Sequence, residues 1–267
     1  MTQINLETGT IAYSDKGAGM PIFWMHGLMM GAEVDEQLRV IDFEQLSQKF
    51  RLIRIDAPGH GQSSASTIAE SYQWNRLPMA HEAIAQELNI QQKVVAGFSM
   101  GSAAAIHYAC QHPENIKALI LAMPPKIWSD RPEQCKSYNK MAQLASTGRL
   151  QRLLPCLLTD TPIQFVEDAF PGSRKIATQA MSSLAPEVYY NLFTAAAQSD
   201  YPSKEEVEKL NIPTLILGWE GDDTHPHSSI EQLKSVLPKA EVHIAKNITE
   251  LKQFTTIVEE FVASHSS

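Results

Sequence analysis

Ser99 stands at the centre of Gly97-Phe98-Ser99-Met100-Gly101, a spacing that lets a hydroxyl act as a nucleophile if the flanking chain holds it clear of the fold. Before it runs Lys93-Val94-Val95-Ala96, a short β-branched stretch that reads as a buried strand. After it runs Ser102 to Cys110, rich in alanine and a strong helix former. A G-x-S-x-G between strand and helix is a tight turn that lifts the serine above the end of a sheet. The glycines two before and two after it let strand and helix approach closely and tolerate unusual dihedrals. On average composition the bare pattern arises in roughly one chain in ten of this length, so the strand-turn-helix setting carries the inference. A serine so placed is unreactive alone and needs an adjacent base.

The elements that must position such a serine follow an alternating rhythm. Strands are predicted at Thr10–Asp15, Ile22–His26, Leu52–Asp56, Val94–Phe98, Ala118–Ala122, Thr214–Trp219 and Glu241–Ala245. Helices are predicted near Val40–Lys49, Met79–Leu88, Met100–Gln111, Ser228–Leu237 and Thr249–Ala263. Apolar strands alternating with helices imply an α/β fold, a mostly parallel sheet covered on both faces, with ligands outside the carboxyl ends of the strands. The rhythm breaks between about Pro125 and Pro202, a span with many aromatic, leucine and methionine residues and no convincing strand. The expected organisation is therefore a core of residues 1–124 and 203–267 with a helical insertion, 125–202, that covers the strand ends as a lid.

Three further motifs join the serine turn at expected strand ends: Ile22-Phe23-Trp24-Met25-His26-Gly27, Ile55-Asp56-Ala57-Pro58-Gly59-His60-Gly61-Gln62-Ser63, and Leu217-Gly218-Trp219-Glu220-Gly221-Asp222-Asp223-Thr224-His225-Pro226. Together the four resemble the α/β-hydrolase fold superfamily, in its lid-bearing, esterase-like branch. The likeness covers nearly all of the chain outside the insertion. It implies that Ser99 is the nucleophile and that the backbone N–H groups of Leu28 and Met100 form an oxyanion hole. It implies Asp222 as the acid, four residues before Pro226, with Asp223 the competing choice. His26 and His60 read as turn residues rather than reacting groups.

The same resemblance implies a histidine in the loop after the last strand, and there the chain departs from the pattern. Glu241–Ala245 is followed by Lys246-Asn247-Ile248-Thr249-Glu250-Leu251, with no histidine. Asn247 and Glu250 have the spacing of a capping box, so the final helix is predicted to start almost at once. Four histidines follow Asp222: His225, His227, His243 and His265. His265 falls in the terminal residues, where disorder is usual. His243 lies inside a strand and His227 at the start of a helix. His225, in a loop at the correct end of the sheet, could donate one ring nitrogen to Asp222 and offer the other to Ser99. The competing reading, favoured by the shortness of that loop, is a His-Pro turn that only packs it.

Bulk properties bound the partners. The 267 residues carry 43% hydrophobic and 19% charged residues and a formal net charge of −8, an ordinary globular balance that argues against nucleic acid or an anionic membrane as partner. Cys110, Cys135 and Cys156 share no metal-ligand spacing, so free thiols in a reducing compartment are expected. Met1 to Asn5 begins no apolar segment, and the expected location is cytoplasmic. No metal, nucleotide or flavin motif is present, so no cofactor is expected; the expected partner is a small-molecule substrate, apolar in part. Oligomeric state is left open.

The function that these features predict is a serine hydrolase, carboxylesterase-like, acting on a small ester or related acyl compound through an acyl-enzyme on Ser99. The alternative is a catalytically silent protein of this fold that binds a small apolar ligand or a protein partner. Acyl transfer and perhydrolysis on the same serine are not separable from hydrolysis by sequence. A haloalkane dehalogenase is disfavoured, since it needs a carboxylate where Ser99 stands.

Overall fold

The computed structural model describes residues 1–150, 152–153 and 161–266. Eight strands form one sheet: β1 (Thr2–Leu6), β2 (Gly9–Lys16), β3 (Pro21–Met25), β4 (Arg51–Ile55), β5 (Lys93–Phe98), β6 (Ile116–Ala122), β7 (Thr214–Trp219) and β8 (Glu241–Ala245). Their order across the sheet is β1-β2-β4-β3-β5-β6-β7-β8. The β1–β2 and β2–β4 pairs are antiparallel and the remaining five are parallel. From β3 the chain crosses outward to β4 and then returns to the other side of β3 as β5. The direction of winding thus reverses at β3 and β5, and open α/β sheets bind ligands at such a reversal.

Strand parity divides the core. Phe23, Met25, Val95, Leu119, Leu121 and Ile216 face one layer of helices, while Ile22, Trp24, Val94, Ala96, Ile120 and Leu217 face the other. The first face is covered by α3 (Pro78–Glu87), α4 (Met100–Gln111) and α10 (His227–Val236). The second is covered by α2 (Phe43–Ser47) and α12 (Phe254–Ser264). Both faces are apolar because both are buried, which is why these strands read as continuous hydrophobic runs rather than alternating ones.

Between β6 and β7 the chain forms α5 (Arg131–Ser146), α6 (Thr161–Ala169), α7 (Ser173–Ser183) and α8 (Pro186–Ala197), followed by the short α9 (Lys204–Val207). No strand interrupts this span among the described residues. Helix α5 packs along α8, with Tyr138 against Phe193 at 6.0 Å between ring centroids. Arg131 anchors the pair: its Nε donates to the Ser199 carbonyl at 2.6 Å and its guanidinium lies 4.1 Å from the Trp74 ring. Cation and aromatic face attract in that geometry, and burial strengthens the attraction.

Three elements differ from the sequence expectation. Strand β1 is a five-residue edge strand in which polar Gln3 and Asn5 alternate with Ile4 and Leu6. Helix α1 (Ala32–Leu38) is an additional element. The single predicted terminal helix is two, α11 (Ile248–Leu251) and α12, parted at Lys252 and Gln253. Cys110 and Cys135 are free thiols, and Cys156 lies outside the described residues.

Candidate active site

Ser99 occupies the turn between β5 and α4 with φ 50° and ψ −109°, a strained conformation for a residue with a side chain. Its amide donates to the Ala122 carbonyl at 2.9 Å, which ties the turn to β6. The flanking glycines are required by space. A Cβ at Gly101 would lie 2.0 Å from the Met25 carbonyl oxygen, and one at Gly97 would lie 2.4 Å from the Gly101 backbone. Ser102 is fully buried; its hydroxyl donates to the Ser99 carbonyl at 2.5 Å and meets the Tyr201 hydroxyl at 2.6 Å. Ser102 thus joins the serine turn to the chain segment that returns from the helical insertion.

The loop after β7 supplies two more groups. Asp222 is buried, and its Oδ1 accepts from the amides of Thr224 at 2.8 Å and His225 at 3.0 Å. This carboxylate-to-backbone turn is a local motif that short acidic side chains form readily. It curls the loop so that His225 Nδ1 lies 2.7 Å from Asp222 Oδ2, while His225 Nε2 lies 2.8 Å from Ser99 Oγ. The shortness of the loop is therefore what brings the ring back: one carboxylate oxygen holds the backbone and the other holds the imidazole. An Nδ1–H donated to Asp222 leaves the Nε2 lone pair facing the serine hydroxyl. Burial raises the Asp222 carboxyl, but the His225 charge, the ring hydrogen bond and the two amides outweigh it and hold the group below its ordinary range. Asp223 is exposed.

The other histidines lie elsewhere. His243 is exposed on β8, an edge strand, and His227 is exposed at the start of α10. His265 lies at the end of α12, where its ring packs on Phe261 at 4.7 Å and its Nδ1 lies 2.8 Å from the Phe261 carbonyl oxygen. After β8, Asn247 Oδ1 accepts from the Glu250 amide at 3.0 Å and Glu250 accepts from the Lys246 amide at 2.8 Å. These bonds start α11 immediately and close the loop where the resemblance implied a histidine.

Opposite Ser99, the turn after β3 carries Leu28. Its neighbours' amides are engaged, Met30 N–H with the Gly27 carbonyl and Met29 N–H with His60 Nε2 at 3.1 Å. Met100 is the first residue of α4, where helix geometry leaves the N–H without an intrahelical acceptor. Two buried histidines brace this turn against the one after β4. His26 accepts from the Ala57 amide at Nε2 (3.0 Å) and donates from Nδ1 to the Gly27 carbonyl (2.7 Å). His60 donates from Nδ1 to the Pro58 carbonyl (2.9 Å). Both act as neutral rings: burial pushes His26 down to about 4 and His60 down to about 3, the latter also disfavoured by His26 beside it. Asp56 completes the brace, accepting from the Ala32 amide at 2.7 Å and the Gln62 amide at 2.9 Å.

A largely apolar cavity of about 400 Å³ opens over Ser99 and His225. Helices α5, α6, α7 and α8 supply Tyr138, Met141, Val166, Met181 and Phe193 to its wall. No cluster of His, Cys, Asp and Glu fit to hold a metal occurs among the described residues. Nor, among those residues, is any helix long and apolar enough to cross a membrane.

Comparison with known proteins agrees with this architecture. The chain is 27% identical over 242 residues to the AB hydrolase superfamily protein YisY of Bacillus subtilis (strain 168), covering 87% of this chain and 85% of that protein. It is 26% identical over 236 residues to the monoacylglycerol lipase abhd6-A of Xenopus laevis, covering 85% and 68%. A thermophilic esterase from Thermogutta terrifontis has the same fold, with a TM-score of 0.83, 18% identity and full coverage of both chains. The family model for the alpha/beta hydrolase fold matches residues 21–247. A match over that much of the sequence, on a sheet and serine turn of this geometry, means that the chain belongs to the α/β-hydrolase fold family.

Proposed function

We propose that the protein is a serine hydrolase acting on a small, partly apolar ester or related acyl compound through an acyl-enzyme on Ser99. The observation that carries this reading is the continuous chain of contacts from Ser99 Oγ to His225 Nε2 (2.8 Å) and from His225 Nδ1 to Asp222 Oδ2 (2.7 Å). In this reading Ser99 Oγ attacks the acyl carbon while His225 Nε2 takes its proton. Asp222 fixes the ring tautomer and stabilises the imidazolium that forms. The amides of Leu28 and Met100 receive the oxyanion of the tetrahedral intermediate. His225 then protonates the departing alcohol, and the same ring activates water to release the acid. The apolar cavity suits a hydrocarbon acyl or alcohol portion, and the helices over it act as a lid that limits water.

Incubation with a fluorophosphonate, followed by intact mass and peptide mapping, tests this directly. The expected result is a stoichiometric adduct on Ser99, absent from Ser99→Ala. Folded protein that takes up no adduct would favour a silent, ligand-binding member of the family.

A further inference from the structure

One carboxyl in the cavity is used by neither the fold nor the proposed chemistry. Asp35, on α1, lines the same cavity as Ser99 and His225 and is 4% exposed. Its Oδ2 has no hydrogen-bond partner among the described residues. Buried carboxylates elsewhere in this region are saturated: Asp56 accepts two amides and Asp222 accepts two amides and a ring. The cation that acts on Asp35, Arg54, bonds Glu36 through Nη1 and lies 4.0 Å over the Phe43 ring, and its Nε and Nη2 are likewise buried without a partner among the described residues. Burial pushes the Asp35 carboxyl up to about 7, against the opposing pull of Arg54 and with the charge of Asp56 adding to it. The neighbouring cavity wall is apolar, with Met30, Leu38, Val40 and Phe98. Buried polar atoms are nearly always paired, so an unpaired carboxyl oxygen on a cavity-lining residue points to a partner supplied by a ligand.

We propose that Asp35 binds a hydroxyl group of the substrate and makes the cavity selective for hydroxyl-bearing esters over their hydrocarbon counterparts. A hydroxyl both donates and accepts, so it satisfies the carboxyl in either protonation state. A ligand carboxylate would meet the combined field of Asp35, Asp56 and Asp222. An ammonium would satisfy only the ionised form. The assignment rests on the hydrolase reading above, since it concerns the substrate of that site.

The test compares kcat/KM within two matched pairs: p-nitrophenyl butanoate against its 3-hydroxy counterpart, and butyl butanoate against 4-hydroxybutyl butanoate. The native protein is expected to prefer the hydroxylated member of at least one pair by about tenfold, since an orphaned buried polar group weakens binding by that order. Asp35→Leu, which can neither donate nor accept, brings that ratio to within about twofold of unity. Asp35→Asn, which can do both, keeps most of it. No preference in either pair, or a preference unchanged in Asp35→Leu, overturns the assignment while normal ester turnover leaves the hydrolase reading intact. A native protein whose Ser99 takes up no fluorophosphonate and which turns over none of the four esters overturns the hydrolase reading and this one with it.

Discussion

The ends of β7 and β8 lie side by side at the same edge of the sheet, yet only the loop after β7 brings a side chain onto Ser99. After β7, the Asp222 carboxylate organises a loop around itself and brings His225 onto Ser99. After β8, Asn247 and Glu250 spend their polar groups on capping α11, and the loop presents no ring. Where a ring nitrogen ends up thus depends on the loop's own hydrogen bonds rather than on its place in the chain. Asp222 and His225, three residues apart, reach Ser99 as one chain of contacts because the carboxylate has two oxygens, one for the loop and one for the ring.

The sharpest way to break that contrast is to remove one carboxylate and spare its neighbour. Asp222→Asn is expected to lower kcat about 10²–10⁴-fold, since the amide favours the wrong ring tautomer and weakens the loop. Asp223→Asn, on the exposed neighbour, is expected to change it less than about twofold. Ester turnover in both variants checks this, and equal losses would mean that the loop matters only as a structure.

A second comparison sets His225 against His26 and His60. The latter two are buried neutral braces, whose rings stay unprotonated down to about 4 and about 3. The unfolded chain protonates its histidines near the ordinary value of about 6.5. The contribution of these two rings to stability is therefore full above about pH 6.5 and falls as the pH drops toward 4, because the unfolded chain takes up protons that the folded rings refuse. His60→Gln, which does not titrate, is expected to be less stable at pH 7.5 but to lose less on going to pH 5. Urea midpoints at the two pH values measure this; parallel slopes for variant and native protein would contradict it.

The smallest expected effect sharpens the role of Ser102. Ser102→Ala removes a buried hydrogen bond to the Ser99 carbonyl and the partner of Tyr201. It is expected to cost about 1–3 kcal/mol of stability, by leaving Tyr201 unpaired. Tyr201→Phe is expected to cost less, because Ser102 keeps its bond to Ser99. Chemical denaturation of the two variants checks the order.

Much of the fold was legible because it depends on local composition. Buried parallel strands such as Val94–Phe98 and Thr214–Trp219 announce themselves as apolar runs between helix formers. The strand β1 was hidden by its shortness: polar Gln3 and Asn5 alternate with only two apolar residues, Ile4 and Leu6. Helix α1 was hidden because Gly31 at its start caps nothing; its first amide is met by Asp56, a residue 24 positions away. At the site, the serine turn was legible because Gly97 and Gly101 are demanded by backbone contacts that any such turn must make. The candidate base was visible as one of four histidines, but its geometry turns on a carboxylate-to-backbone bond that spacing alone does not reveal. Asp35 gave no signal at all: an acidic residue on a charged helix becomes an orphan in a cavity only after α1 is docked.

The central claim is that the loop after β7 alone supplies the base for Ser99. Its most direct test is the second-order rate of Ser99 phosphonylation in His225→Ala and in His243→Ala, with folding verified by thermal melts. A loss of at least about 10²-fold is expected in His225→Ala and a rate within about twofold of native in His243→Ala. A His225→Ala protein that reacts within about twofold of native would contradict it, and would return His225 to the role of a turn residue.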